Sequence, residues 1–353
     1  VAINHACAYD PIFVGLAFRN KPLTFVASEH ILRSKWGPFL DKHISLIPHQ
    51  KGARGSRTAL VTLKRIKKGE SVFLAVEGGQ TWDGRPLPVM PYTGKLVKGS
   101  GATLVTYLLE GAYLSAPNWA TGTRKGKVYG RPAGVYSPEE LRKMSDEEVE
   151  KLIARDLSYD VWKWQKTRKD GPVSYKCVRG GFADGLERAV FTCPSCGAIG
   201  TLTSQGDSIG CSCGFKVRML DTGFFEDDAP FETIVDWEAF DKETLQTVLA
   251  GKLSTNNETE LLSDDNVTLL RIKNEHSEET AACGRLTLYC SDGAPVLSIG
   301  SSRFDLSGLS DMKTVRANRI VFSDESGYYE LRSGKGSNTN LRKYVIARNL
   351  IKE

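Results

Sequence analysis

Four of the chain's eight cysteines fall between residues 193 and 213, in "CPSCGAIGTLTSQGDSIGCSCGF". Two residues separate Cys193 from Cys196, and one separates Cys211 from Cys213. Each pair is close enough to grip one ion from two sides, with the intervening residues forming a hairpin. Gly197 and Gly214 follow the pairs, where tight turns aim backbone amides at the sulfurs. Four thiolates fill a tetrahedral zinc shell and leave no open position, so such a site holds a fold together and does no chemistry. The competing readings are a redox Cys-x-x-C pair and chance clustering. A redox pair normally opens a helix, whereas Gly-Ala-Ile-Gly follows here, so a structural zinc ribbon is expected. Many ribbons bind nucleic acid. This one is followed by Glu226, Asp227, Asp228 and Glu232, the wrong sign for phosphate contacts.

The other cysteines (Cys7, Cys177, Cys283, Cys290) are scattered. That usage predicts a reducing compartment, so the protein is read as cytosolic or facing the cytosol. With 353 residues, 41% hydrophobic and 25% charged, the chain is long enough for two or three domains with cores of their own. Its formal charge of +5 is too mild for a dedicated nucleic-acid binder. It suits phosphate-bearing substrates or an anionic membrane surface. No apolar run approaches the roughly 18–20 residues of a spanning helix. The chain starts with Val, which predicts that a segment precedes it.

Along residues 1–135, "PLTFVAS", "SVFLAVEGG" and "GATLVTYLLEGAYL" read as buried strands, and "SRTALVTLKRIKKG" as a helix ending at Gly69. That alternation points to an α/β layer fold. In 136–188, Ser137-Pro138 with Glu140 and Ser145 with Glu148 read as capping boxes. Val149, Leu152, Ile153 and Leu157 form one apolar stripe. The aromatic, basic "YDVWKWQKTRKDG" is read as packing against the first domain. After the ribbon (189–220), residues 221–262 read as an acidic bridge, a helix near 236–252 and a polar linker, "STNNETE". From 263 to 353, short strands ("VTLLRI", "RLTLYC", "APVLSI", "RIVFSD", "GYYELRS") and a terminal helix suggest a small β-barrel-like module.

"NHACAYD" sets His5 five positions before Asp10, and Pro11 then opens a helix. His5 therefore lies in the loop between the strand "VAIN" and that helix. In one reading Asp10 fixes the His5 tautomer, and the other ring nitrogen takes a proton from a substrate hydroxyl. In the other, Asp10 only caps the helix. The motif alone leaves both standing.

Taken together, "NHACAYD", "SLIPHQKGARGSR", "LAVEGGQTWDG" and "ATLVTYLLEGAY" resemble the four ordered blocks of the glycerolipid acyltransferase family. The resemblance covers about residues 1–135, and a following ribbon and β module resemble a bacterial subgroup of lysophospholipid acyltransferases. It implies a mixed β-sheet flanked by helices, working at a membrane face, with His5 as general base and Asp10 as its orienting partner. Glu77 and Gly78 match the Glu-Gly associated with the glycerophosphate acceptor.

The departures lie around the acceptor. Gln80 stands where Arg is usual, Val76 where Pro is usual, and Thr106 at the usual Pro of the fourth block. His49 and Gln50 replace an acidic–arginine pair, with Lys51, Arg54 and Arg57 nearby. The implied activity is O-acyl transfer to a lysophospholipid hydroxyl such as that of 1-acyl-sn-glycerol-3-phosphate. The co-substrate is an acyl thioester, either acyl-CoA or an acyl-carrier protein, and no covalent enzyme intermediate forms. The substrate-binding set is Lys51, Arg54, Arg57, Glu77, Gly78 and Gln80, and Zn2+ on Cys193, Cys196, Cys211 and Cys213 is structural. The enzyme is expected in the cytoplasm, bound peripherally to the inner membrane face. Further basic clusters, Lys64/Arg65/Lys67/Lys68 and Arg124/Lys125/Lys127, read as solvated faces or as contacts to anionic headgroups. Two alternatives remain: acyl transfer to another amphiphilic alcohol or amine, and a non-catalytic lipid- or nucleic-acid-binding protein on the same scaffold. The β module bears a loose likeness in shape to a pleckstrin-homology barrel, which assigns no ligand.

Overall fold

Apolar runs alternating with helices build the first part of the chain around a mixed sheet. The computed structural model describes residues 1–51, 56–253, 259–291, 294–334 and 339–352. Its residues fall into two units, Val1–Asn118 with Thr123–Val178, and Trp119–Gly122 with Arg179–Glu353.

The first unit begins β1 (Ala2–Ile3), α1 (Asp10–Ala17), β2 (Leu23–Ser28), α2 (Gly37–His43) and β3 (Leu46–His49). It continues α3 (Ser56–Lys67), β4 (Ser71–Ala75), α4 (Thr93–Ser100), β5 (Leu104–Glu110) and the short α5 (Ala112–Ser115). Then come β6 (Arg124–Lys125), β7 (Tyr129–Tyr136), α6 (Pro138–Arg142), α7 (Asp146–Asp156), α8 (Val161–Thr167) and β8 (Lys176–Cys177). Six strands form one sheet in the order β3-β2-β4-β1-β5-β7. Only β7 runs antiparallel.

Parallel neighbours require crossovers, and these are nearly always right-handed. From β1 the chain steps to β2 and then β3, so α1 and α2 cover one face of the sheet. It then reverses direction through β4 to β5, which puts α3 and α4 on the other. Adjacent strands β1 and β4 thus send their chains to opposite faces, and a crevice opens between their C-terminal ends. That is where open α/β sheets bind ligands.

On the α3–α4 face, Leu141, Val149, Ile153 and Leu157 pack on Ala2, Val76 and Leu104. Both expected capping boxes are present. Ser137 and Ser145 accept from the amides of Glu140 and Glu148, whose carboxylates accept in return from the serine amides. The aromatic segment packs within this unit, with Val161 and Trp162 buried and the Trp162 indole N–H donating to Asp83 O at 2.6 Å.

The second unit contains β9 (Leu202–Gln205), β10 (Ser208–Cys211) and β11 (Lys216–Arg218) as a three-stranded antiparallel sheet. After α9 (Ile234–Leu253) come β12 (Thr259–Asn274), β13 (Ser277–Ser291), β14 (Ala294–Ile299) and β15 (Ser302–Asp305). The last elements are β16 (Asp311–Thr314), β17 (Arg319–Asp324), β18 (Gly327–Ser333) and α10 (Arg342–Lys352). The seven strands pair in the order β15-β14-β13-β12-β18-β17-β16.

Five strand spacings separate β15 from β17, about 24 Å in a flat sheet at roughly 4.8 Å each. Yet Phe304 on β15 and Phe322 on β17 have ring centroids 5.0 Å apart. The sheet is rolled around its core, and among the described residues no ladder joins β15 to β16. It has a barrel's curvature without a barrel's closure. The helix expected in the bridge, α9, buries Leu245 and Leu249 in this same core, alongside Tyr344 and Ala347 of α10. Most of the polar stretch after α9 (254–258) lies outside the described residues.

Gly94 of α4 lies against the start of α7. A Cβ there would sit 2.0 Å from the Asp146 carbonyl oxygen, which is backbone and cannot swing away. Gly94→Ala is expected to destabilise the first unit by about 1–3 kcal/mol or more. A lower urea midpoint at unchanged slope checks this, and an unchanged midpoint refutes the packing account.

Candidate functional site

β1 stops at Ile3, and Asn4 stitches its end to β5. The Asn4 amide donates to Leu109 O at 2.9 Å and accepts from Leu109 N at 2.8 Å. This continues the ladder with a side chain and brings His5 into the crevice between β1 and β4. The third block then holds the His5 backbone at both ends. His5 N–H donates to Glu77 Oε1 at 3.2 Å, and Thr81 N–H donates to His5 O at 3.1 Å.

Asp10 is the first residue of α1, and its side chain makes no cap. It is fully buried, and its Oδ2 lies 2.8 Å from His5 Nδ1. Cys7 N–H lies 3.1 Å from both carboxylate oxygens, and Cys7 Sγ donates to Oδ1 at 3.3 Å. Burial, and then the Asp10 charge, push the Cys7 thiol well above its ordinary value, so it stays a protonated donor. The His5 side chain remains 20% exposed. With Nδ1 taken by Asp10, Nε2 is the nitrogen left to meet a ligand. Asn4 and Cys7 were both missed by the sequence reading. Their signal, a polar side chain at a strand end and a thiol three residues before an acid, acquires meaning only once the loop is folded.

Gly78 takes φ +66, and a Cβ there would meet Met90 Sδ at 2.5 Å, so a larger residue would be strained and would displace Met90. Glu77 is 9% exposed. Besides the His5 amide, it accepts from Leu87 N–H at 2.9 Å. Burial pushes its carboxyl up to about 7 against the pull of those two amides. Beside it opens a pocket of about 250 Å³ with otherwise apolar walls, including Val76, Leu87, Pro88, Val89 and Leu157. Gln80 is half-buried in the same loop.

Lys51 follows β3 by two residues, as His5 follows β1 and Glu77 follows β4. All three therefore stand at the C-terminal edge of the parallel strands. Lys51 is half-buried and Arg57 exposed, whereas Arg54 lies outside the described residues. Burial, and then the Lys51 charge, hold the His49 imidazole below its ordinary range. The other basic clusters divide. Arg65 pairs with Glu70 at 3.0 Å. Arg124 is buried, which removes it from a cluster read as facing solvent or headgroups, because β6 carries it inward beneath Leu114 O.

In the second unit the four sulfurs of Cys193, Cys196, Cys211 and Cys213 lie within 4.8 Å of one another. A tetrahedron with metal–sulfur bonds of about 2.3 Å sets sulfur–sulfur spacings near 3.8 Å. Cys193–Cys213 measures 3.7 Å and Cys196–Cys211 3.9 Å. The residues present fit one metal ion. The amides of Ser195 and Cys196 point at the Cys193 sulfur, and that of Cys213 at the Cys211 sulfur, holding this thiol down at about 6. The Gly197 and Gly214 amides instead close the turns, donating to Cys193 O and Cys211 O. Asp241 of α9 anchors the approach to Cys193, accepting from Phe191 N–H and Thr192 N–H at 3.1 and 2.8 Å.

Residues 1–109 match the acyltransferase family model. No curated protein matches the chain. Among solved structures it is similar to the 1-acyl-sn-glycerophosphate (LPA) acyltransferase PlsC from Thermotoga maritima, at 18% identity and a TM-score of 0.41. That similarity covers 48% of this chain and spans 66% of the other.

Metal analysis of protein purified under reducing conditions is expected to find one ion per chain, lost in Cys193→Ser. A metal-free, folded second unit would refute the centre. Glu77 generates a pH signature of its own. Its folded pKa is raised from 4.5 to about 7, so the fold favours the protonated form. Its stabilising contribution is complete below pH 4.5 and declines as pH rises toward 7. The stability of wild type relative to Glu77→Gln should therefore fall between pH 5 and 7, read from urea midpoints. A difference that stays flat across that window would remove the buried-carboxyl account.

Proposed function

We propose that the first unit transfers a fatty acyl group from an acyl thioester to the hydroxyl of a lysophospholipid, 1-acyl-sn-glycerol-3-phosphate being the leading acceptor. The observation that carries this reading is the 2.8 Å contact between His5 Nδ1 and the buried Asp10 carboxylate. It lies within the residues that match the acyltransferase model.

His5 Nε2 removes the acceptor's hydroxyl proton as the oxygen attacks the thioester carbonyl carbon. The new C–O bond forms, the C–S bond breaks, and the departing thiolate takes the proton back from the imidazolium. Asp10 stabilises that imidazolium and holds the tautomer that leaves Nε2 basic. Cys7 and the amide on Cys7 fix the carboxylate in turn.

Glu77 and Gly78 shape the acceptor loop, and Gln80 with Lys51, Arg54 and Arg57 meets the acceptor headgroup. Gln80 lacks the charged fork of an arginine, so the second-block bases carry the phosphate contact. Acyl-CoA and acyl-carrier protein both remain candidate donors. We assign this chemistry to residues 1–135, with 136–188 as its helical extension. The four cysteines of the ribbon (189–220) hold structural zinc, which an all-thiolate set favours. Residues 221–262 lead on to the β-rich module of 263–353, with α9 and the start of β12 belonging to that module's core.

Incubating the purified protein with labelled lysolipids and both donor types tests the assignment. His5→Ala is expected to lower the rate at least about a hundredfold with the fold intact, because general-base contributions are typically ~10²–10⁴. Asp10→Asn should also be severe. A His5→Ala enzyme retaining more than roughly a hundredth of the wild-type rate would end this mechanism.

A further inference from the structure

On α1 every charged group is hidden. Asp10 is buried, and no other charge occurs up to Ala17. Ile12 and Leu16, one turn apart and so on one side of the helix, are 57% and 67% exposed. A helix covering a sheet normally turns polar residues outward, whereas this one turns isoleucine and leucine. Crossover handedness sets α2 on the same side of the sheet, where Gly37 is its one buried residue. Trp36 is 60% and Phe39 55% exposed. Four large apolar side chains therefore project from one face of the first unit.

The charges around them decide what this face fits. Exposed charged residues in 9–21 and 35–44 are Arg19, Lys21, Lys35 and Lys42, against the single carboxylate Asp41. The Lys35 ammonium sits 5.5 Å over the Trp36 ring, pairing a cation with an aromatic side chain. Apolar side chains that insert, an interfacial tryptophan and a cationic rim are the features that bind anionic bilayers. The bases of α3 belong to the opposite face of the sheet, where α3 exposes a lone large apolar residue, Leu60.

We propose that the α1–α2 face docks on an anionic lipid bilayer, with Ile12, Leu16, Trp36 and Phe39 inserted and Lys35 and Lys42 on the headgroups. The consequence for the site rests on the acyltransferase reading. His5 and Asp10 lie at the N-terminal end of α1, so seating this helix in the interface brings Nε2 to the depth of a lysolipid's hydroxyl.

Sedimentation of the full chain with phosphatidylcholine vesicles, with and without phosphatidylglycerol, tests the proposal. Wild type should bind the anionic vesicles, and Ile12→Ser with Leu16→Ser should lower partitioning at least tenfold. Lys35→Glu with Lys42→Glu should cost at least tenfold on anionic vesicles only, at about fivefold per cation. Lys64→Glu with Lys67→Glu on α3 should change binding less than twofold. On an otherwise native chain, the fluorescence difference between wild type and Trp36→Phe should shift to the blue with vesicles. This readout decides even if the serine pair misfolds. Absent binding, an equal loss from the α3 pair, or a Trp36 buried by self-association without vesicles would each overturn the proposal. The activity reading fails separately. His5→Ala should bind vesicles as wild type does, and vesicle binding without acyl transfer would sink the enzyme while sparing the surface. Transfer to a water-soluble short-chain acceptor without vesicle binding would do the reverse.

Discussion

A carboxylate taken out of water must be compensated on every side, and Asp10 has no exposure at all. Its compensation comes from within a single turn of chain: His5 Nδ1 on one oxygen, the Cys7 thiol on the other, and the Cys7 amide shared. The loop between β1 and α1 therefore has one low-energy closure, with the imidazole fixed against the acid. Removing any donor leaves a buried anion partly unpaired, so the arrangement tolerates little variation. The His5–Asp10 contact and the start of α1 are one structural unit.

That closure is held from behind by strands that arrive from far along the sequence. Asn4 borrows the backbone of Leu109, and Glu77 spends both carboxylate oxygens on the amides of His5 and Leu87. Glu77 thus couples the His5 loop to the wall of the apolar pocket. A group read from sequence as an acceptor contact has, in the fold, its two oxygens engaged by backbone. Its raised carboxyl pKa reflects that enclosure.

The cysteine centre follows a different logic. The spacing of Cys193, Cys196, Cys211 and Cys213 was enough to expect a shared ion, because pairs with one or two residues between them have few ways to be brought together by a hairpin. What spacing did not convey is the anchoring of that hairpin. Asp241, almost fifty residues downstream, satisfies the amides just before Cys193, and α9 carries it as a core element of the second unit. Likewise, the strand-rich character of residues 263–353 and their closing helix were legible as alternating apolar residues between turns, but the lengths of β12 and β13, 16 and 15 residues, and the start of β12 at Thr259 were not. A barrel-like curvature was expected there too, but not that the sheet stays open between β15 and β16 among the described residues, because closure is a property of the whole sheet.

By itself, the sequence determined what local chemistry can dictate. It marked where strands and helices begin, through apolar periodicity, Pro11 and two serine capping boxes. It also set a histidine and an aspartate five positions apart, leaving open whether they pair or the acid caps its helix, and it set the spacing of the four thiols. These are short-range constraints, carried by neighbouring residues whatever the rest of the chain does. Tertiary structure decided which strands lie side by side, and hence that β1 and β4 part to opposite faces and open a crevice at His5. It decided that Asp10 turns back toward the histidine instead of capping its helix, that Arg124 is hidden, and that Ile12 and Leu16 are left outside. The physical reason is that burial and strand order are set by contacts between segments distant in sequence. No single segment encodes the environment that its neighbours will supply.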